Sequence, residues 1–146
     1  MQQILLSESY NRYQKRNHNV GIQIWHFEWC TKYRYKMFLQ QKLKIFCEVA
    51  IKECCSRNNF EILALNVQPN HVHLVVSLPR GMTDIKALQL IKGFTSFLLF
   101  RLVPDFRKRY RKGKFWSKGS FSSTVGFTEL ESVVEYVKNQ DIHHSH

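Results

Sequence analysis

The sequence predicts an α+β fold, in which a four-stranded antiparallel sheet follows the βαββαβ order of ferredoxin-like and RRM-like domains and an additional C-terminal helix comes last. Three observations predict it. Four segments have the composition or alternation of strands, two long helical patterns separate them at the expected places, and Gln68-Pro69-Asn70 supplies turn residues between two adjacent strands.

The first half of the chain contains three of the predicted strands. Residues 20–31 alternate between two faces, as a strand exposed to different surroundings on its two sides does. Residues 39–57 have apolar side chains at helical spacing, and Cys47 and Cys54 fall within this stripe, where we interpret them as small core residues. Residues 61–67 and 71–78 then form a predicted hairpin.

The second half repeats the helix–strand order and adds the last helix. Residues 83–103 show a long helical pattern whose apolar stripe ends at Leu102, and residues 115–125 are predicted to form the fourth strand. Thr128 and Glu131 have the T-x-x-E spacing of a capping box, which predicts a helix from there to about residue 140.

Length and composition predict one domain without a membrane span. The chain has 146 residues, of which 44% are hydrophobic, and no run of about 18 apolar residues occurs. We interpret residues 1–19 as a polar N-terminal arm and residues 20–146 as the domain. The start has no signal-peptide pattern and the four cysteines have no CxxC or framework spacing, so a reduced, cytoplasmic protein is expected.

The charge predicts a polyanionic partner. Lys and Arg number 22 against 11 Asp and Glu, which gives a formal net charge of +11. Nucleic acid is the first expectation, and an anionic membrane is the alternative, although no basic amphipathic helix is evident. The segment RKRYRKGK, residues 107–114, is predicted to be a loop with six cations. The candidate DNA-binding residues are Lys32, Arg34, Lys92, Arg107, Lys108, Arg109, Arg111, Lys112, Lys114, Trp116 and Lys118.

The strongest local motif is His71-Val72-His73 on the third predicted strand. Residues i and i+2 of a strand lie on the same face about 7 Å apart, so two imidazoles could bind one divalent metal ion. Two surface histidines, or two that form ordinary hydrogen bonds, are the alternative. His26 on the first strand is interpreted as a packed residue, with a role behind a metal ligand left open.

Tyr136 and Gln140 lie one turn apart on one flank of the last predicted helix. Both residue types are common near helix ends, so the pair alone is weak. Together with the two histidines it suggests a mechanism, in which an ion polarises a phosphodiester and the Tyr136 hydroxyl attacks phosphorus. The predicted ligand set contains no carboxylate, which departs from the usual magnesium site.

The order of the motifs resembles a known family. HVHLVV, EYVKNQ, WCTKYRYK, IKGFTSFLLF and FWSKGSFSSTVG, spread over about residues 20–140, resemble the small single-tyrosine HUH transposases of the TnpA type, which move insertion sequences as single-stranded DNA. The resemblance implies strand cleavage through a 5′-phosphotyrosine, Mg²⁺ or Mn²⁺ as cofactor, and recognition of a DNA hairpin. It also implies a homodimer whose active sites can be shared between the subunits.

The resemblance extends to individual residues. His71 and His73 match the metal ligands of the family, Tyr136 matches the nucleophile and Gln140 matches the third ligand. The chain departs from the family at Ser120, where an aromatic residue is usual, and at Phe97, where a polar or basic one is frequent.

Three alternatives stay open at the level of the sequence. The chain could be a non-catalytic RRM-like nucleic-acid-binding protein, which would bind without dependence on a divalent metal. It could be a domesticated tyrosine transposase that acts on palindromic repeats of the chromosome. It could also be an inactive copy, although all four residues of the predicted site are present.

Overall fold

A four-stranded sheet forms the centre of the fold in the computed structural model, which describes residues 23–140. The strands are β1 (Gln23–Thr31), β2 (Glu61–Val67), β3 (His71–Leu78) and β4 (Trp116–Thr124), in the spatial order β2-β3-β1-β4. Every neighbouring pair is antiparallel. This confirms the predicted α+β fold of the ferredoxin-like and RRM-like kind; the proposed arm, residues 1–19, lies outside the described residues.

Within the described residues, four α-helices accompany the sheet: α1 (Gln41–Arg57), α2 (Asp84–Leu102), the short α3 (Phe106–Arg109) and α4 (Leu130–Lys138). The first two pack together and cover one face of the sheet with a large apolar core. Cys47 and Cys54 are buried in this core, as the helical stripe predicts. Within residues 23–140, none of the helices has the length and apolar character needed to cross a bilayer.

The opposite face of the sheet is only partly covered. Helix α4 packs on β2 and β3 through a small separate cluster that includes Leu130, Val134 and Val137. Because side chains alternate along a strand, Ile24 of β1 belongs to this cluster while Phe27 belongs to the large core. The residues of β1 that share the face of Ile24, among them His26 and Glu28, therefore lie on the side of α4.

Three local predictions need correction. The capping box is wrong, because Thr128 falls inside a 3₁₀ turn over Phe127–Glu129 and α4 begins at Leu130 without a side-chain cap. The segment 107–114 is not wholly a loop, because α3 forms directly after Pro104 and includes its first residues. Leu102, predicted in the apolar stripe of α2, is 43% exposed at the end of that helix.

Candidate metal and nucleophile site

Two adjacent strands bring together three side chains of types that can bind a metal ion. His71 and His73 lie on β3, and Glu28 of β1 is paired directly with His73 in the sheet register. One ligand atom from each of these three residues lies within 4.8 Å of the others. The ring centroids of the two histidines are 5.1 Å apart. The structure thus brings the predicted histidine pair together and adds a carboxylate to it.

The imidazoles of His71 and His73 are held by neighbouring side chains. Nδ1 of His71 lies 2.8 Å from Oδ1 of Asn70, and Nδ1 of His73 lies 3.2 Å from Nε2 of His26. Nε2 of His73 points to the carboxylate side, 3.7 Å from Oε1 of Glu28. Nδ1 of each ring therefore has a partner within the protein.

Burial favours the neutral form of His26, the hydrogen-bond partner of His73. His73 is only 3% exposed. Burial lowers the pKa of His26, and the negative charge of Glu28 opposes this effect without cancelling it. The ring of His26 also contacts Phe121 edge-on, with centroids 5.7 Å apart. His26, interpreted from the sequence as a packed residue, is therefore both packed and hydrogen-bonded to a candidate ligand.

Helix α4 places Tyr136 against this cluster. Its apolar stripe packs on the sheet, and Nδ2 of the buried Asn66 donates a hydrogen bond of 2.9 Å to the carbonyl of Val137. Asn66 is in turn held by Gln68, whose amide donates to it at 2.8 Å. The Tyr136 ring lies perpendicular to that of His73, with centroids 6.4 Å apart, and is 51% exposed. A phenol thus lies beside the cluster of Glu28, His71 and His73 and is half exposed.

Gln140, the other residue predicted at the site, follows α4 by two residues. It is 3% exposed, so its side chain is packed against the protein. Its role as third ligand remains a prediction. The set of Glu28, His71 and His73 combines one anionic oxygen with two imidazole nitrogens, which fits Mn²⁺ or Mg²⁺ better than the predicted set without a carboxylate.

Sequence reasoning missed Glu28. The structure adds Glu28 as a candidate ligand beside the two histidines, and the ligand set expected from the sequence stays a prediction. The spacing of Glu28 two residues after His26 is a signal in the sequence, because it puts both side chains on the same predicted face of β1. The sequence could not show that this face of β1 lies beside His73, since pairing between distant strands is set by tertiary structure.

Two of the candidate DNA-binding residues have structural roles instead. Trp116 is 7% exposed, and its indole N–H donates to Oγ1 of Thr95 at 2.9 Å within the core. Its ring is therefore not available for stacking on a base. The ammonium of Lys92 donates to the carbonyl of Ser117 at 2.7 Å and to Oγ of Ser120 at 2.9 Å, so it links α2 to β4.

The remaining basic candidates lie mostly in one region, which we call the basic ridge. It comprises Lys32, Lys108, Arg109, Arg111, Lys112 and Lys114, which line a cleft of about 250 Å³ with Tyr33 and Tyr110. Tyr110 fixes the ridge, because its hydroxyl donates to the carbonyl of Lys32 at 2.8 Å. Arg109 lies over the ring of Tyr35, and Arg107 lies nearby over that of Phe100. Arg34 and Lys118 are exposed elsewhere, and DNA contact by all of these residues remains a prediction.

Comparison with known proteins assigns the family. Residues 20–140 match the family model described as "Transposase IS200 like". The chain belongs to this family. The transposase of insertion sequence element IS200 from Salmonella typhimurium is 26% identical over 116 residues, which cover 80% of this chain and 75% of that protein. The ISDra2 transposase TnpA of Deinococcus radiodurans is 22% identical, over 80% and 82% of the two chains.

Solved structures confirm the fold of this IS200-like transposase. A transposase structure from Deinococcus radiodurans has a TM-score of 0.66 at 22% identity and covers 84% of this chain and 94% of its own. A tyrosine transposase bound to a REP hairpin has a TM-score of 0.61 at 18% identity, over 84% and 68% of the two chains. Family membership makes the chain a transposase, an enzyme class that cleaves and joins DNA strands.

Proposed function

We propose that this IS200-like transposase cleaves and rejoins single-stranded DNA at insertion-sequence ends, with Tyr136 as the nucleophile and a divalent metal as cofactor. One observation carries the proposal. The Tyr136 ring lies 6.4 Å from that of His73, which belongs to the cluster of Glu28 and His71. An RRM-like binding protein would have no need for a phenol beside two histidines and a carboxylate.

The cofactor would be Mg²⁺ or Mn²⁺, held by His71, His73 and Glu28, with Gln140 as a further candidate ligand. When bound, such an ion supplies Lewis-acid polarisation of the phosphodiester. For His73 to offer the lone pair of Nε2, its proton must be on Nδ1. His26 favours this tautomer, because its Nε2 can accept that proton in a hydrogen bond of 3.2 Å.

Tyr136 would carry out the covalent step. Its phenolic oxygen forms a bond to phosphorus as the bond between phosphorus and the 3′-oxygen breaks. The phenol loses one proton and the departing 3′-oxygen gains one, so the products are a 5′-phosphotyrosine and a free 3′-hydroxyl. Attack of a 3′-hydroxyl on the phosphotyrosine reverses the exchange and seals a strand. The exposure of Tyr136 leaves the necessary access for DNA.

The partner would be single-stranded DNA that carries a hairpin. The basic ridge supports an electrostatic contact with phosphates, and a hairpin is what the similar tyrosine transposase binds. The resemblance implies a homodimer in which the tyrosine helix can complete the partner's site. Here Tyr136 lies beside His73 of its own chain. We propose that a site formed within one chain in this way is catalytically active.

A covalent adduct tests the reaction directly. Wild-type protein and Tyr136→Phe would be incubated with single strands from the flanks of the gene, with Mg²⁺ or Mn²⁺, and analysed on a denaturing gel. We expect an adduct with one strand, in the wild type alone and only with metal. Binding without an adduct on any flanking strand would contradict the proposal and favour a non-catalytic binder or an inactive copy.

A further inference from the structure

A cleft of about 460 Å³ opens between β1 and β4, next to the cluster of Glu28, His71 and His73. Trp29 pairs with Ser120, and the next pair is Thr31 with Trp116, so residues 117–119 of β4 lie opposite Cys30 alone. This bulge separates the two strands and creates the cleft. Bulges next to active sites commonly redirect a strand for function.

Lys92 gives the bulge a fixed shape. Its ammonium lies 2.7 Å from the carbonyl oxygen of Ser117, 3.2 Å from that of Lys118 and 3.4 Å from that of Gly119. The carbonyls of all three bulged residues thus converge on one cation from helix α2. The hydroxyl of Ser117 adds a bond of 3.1 Å to the carbonyl of Thr31 on β1. The wall of the cleft is therefore held in place before any ligand binds.

The lining of the cleft matches the chemistry of one unpaired nucleotide. Glu28, a member of the metal cluster, lines one part of it, and the ring of Phe121 is 51% exposed. Arg34, an exposed cation, is also part of the lining. An aromatic face can stack on a base, a guanidinium can pair with a phosphate, and the volume lies in the range of small-ligand pockets.

We propose that this cleft binds one unpaired nucleotide of the DNA strand, directly beside the phosphate that is cleaved, with its base against Phe121. The proposal rests on the function proposed above. Ser120 also lines the cleft, and its small side chain leaves room for a base.

Binding of short oligonucleotides tests the role of Phe121. The protein would carry Tyr136→Phe, so that no cleavage intervenes, and the probes would be octathymidylate and an octamer of abasic nucleotides with the same phosphates. We expect Phe121→Ala to weaken octathymidylate binding by about five- to a hundredfold, the usual effect of losing one stacked base. Binding of the abasic octamer should not change, and Phe121→Trp should restore the affinity for octathymidylate.

Phe97→Ala is the matched control, because Phe97 is 61% exposed on helix α2 and does not line the cleft. It should bind both probes as the parent protein does. Equal weakening of the two probes by Phe121→Ala, no weakening of either, or no binding of octathymidylate would each overturn the proposal.

Cys30 provides a second measurement. It lines the cleft and is half-buried, whereas Cys47, Cys54 and Cys55 are buried, and burial raises the pKa of each of these three thiols. N-ethylmaleimide should therefore modify Cys30 first, as mass spectrometry of the peptides would show. Saturating octathymidylate should slow this modification by about tenfold or more, and the abasic octamer much less. Equal rates with and without octathymidylate would overturn the proposal.

These measurements need no strand cleavage. If the adduct assay fails but base binding depends on Phe121, the subsite is real and the proposed reaction is wrong. If the adduct forms but Phe121→Ala binds octathymidylate normally, the reaction stands and the subsite is wrong.

Discussion

At the scale of single residues, the main question is which side chains complete the metal site. The sequence suggested Gln140 as the third ligand, and the fold adds Glu28 within 4.8 Å of the two histidine ligands. The two candidates differ in charge. A carboxylate contributes the anionic oxygen that hard divalent ions prefer, whereas an amide contributes only a neutral one.

We expect Glu28→Ala to weaken Mn²⁺ binding by more than about tenfold. Removing a side chain that only hydrogen-bonds to a ligand already weakens metal binding by about this factor, and removing a ligand should weaken it at least as much. Calorimetric titration of the Tyr136→Phe protein with Mn²⁺ would measure this without DNA. The affinity of His71→Ala for Mn²⁺ is the reference for the loss of one ligand. Unchanged affinity in Glu28→Ala, together with a large loss in Gln140→Ala, would assign the third position to Gln140 alone.

His26 should influence the metal without touching it. Its Nε2 lies 3.2 Å from Nδ1 of His73, and this contact holds the ring of His73 with Nε2 toward Glu28. We expect His26→Ala to weaken Mn²⁺ binding by about 10- to 100-fold, the range found for such outer partners. His26→Asn, whose amide oxygen can still accept the bond, should recover part of the affinity. Equal losses in both variants would indicate a packing role only.

At the scale of elements, the position of α4 decides whether the nucleophile reaches the metal cluster. The helix has only nine residues, so its own propensity is insufficient and tertiary contacts hold it. The buried bond from Asn66 to the carbonyl of Val137 is the polar part of this attachment. It lies one residue from Tyr136 along the chain.

We expect Asn66→Ala to lower the free energy of unfolding by about 1–3 kcal/mol, since it removes two buried hydrogen bonds, one to the carbonyl of Val137 and one from the amide of Gln68. Amide hydrogen exchange in α4 should accelerate, and adduct formation should fall with it. Asn58→Ala is the control, because Asn58 makes an equivalent bond of 2.8 Å to the carbonyl of Cys54 at the end of α1. If α4 exchanges equally fast in both variants, the effect is global and the local attachment is not supported.

At the scale of the whole molecule, a net charge of +11 should make DNA binding strongly salt-dependent. For single strands, the slope of log K against log salt changes by about 0.7 for each phosphate contact. We expect combined replacement of Lys108, Lys112 and Lys114 by Ala to reduce the slope by about 2. Lys42, Lys52 and Lys86, on helices away from the ridge, provide a charge-matched control. Equal slopes for both triple variants would remove the ridge from the binding surface.

The second prediction at this scale concerns how the site is shared. Since Tyr136 lies beside His73 of the same chain, a mixture of Tyr136→Phe and His71→Ala proteins should form no adduct. Each variant alone is the baseline for this measurement. Restored adduct formation in the mixture would show that α4 is exchanged between subunits, as the resemblance implies.

The sequence by itself determined those features that depend on neighbouring residues. Alternation predicted β1, helical spacing predicted α1 and α2, and Gln68-Pro69-Asn70 predicted the hairpin that presents His71 and His73. Local spacing also placed both histidines on one face of one strand. These predictions succeeded because side-chain direction along a strand or helix is fixed by local backbone geometry.

Only the tertiary structure decided which of these elements meet. The register between β1 and β3 placed Glu28 beside His73. The packing of β4 against α2 buried Trp116, although its charged neighbours in the sequence suggested a DNA contact. The bulge in β4 likewise depends on Lys92 from a different element. Contacts between segments far apart in the chain depend on the packing of the whole core, and no local pattern records them.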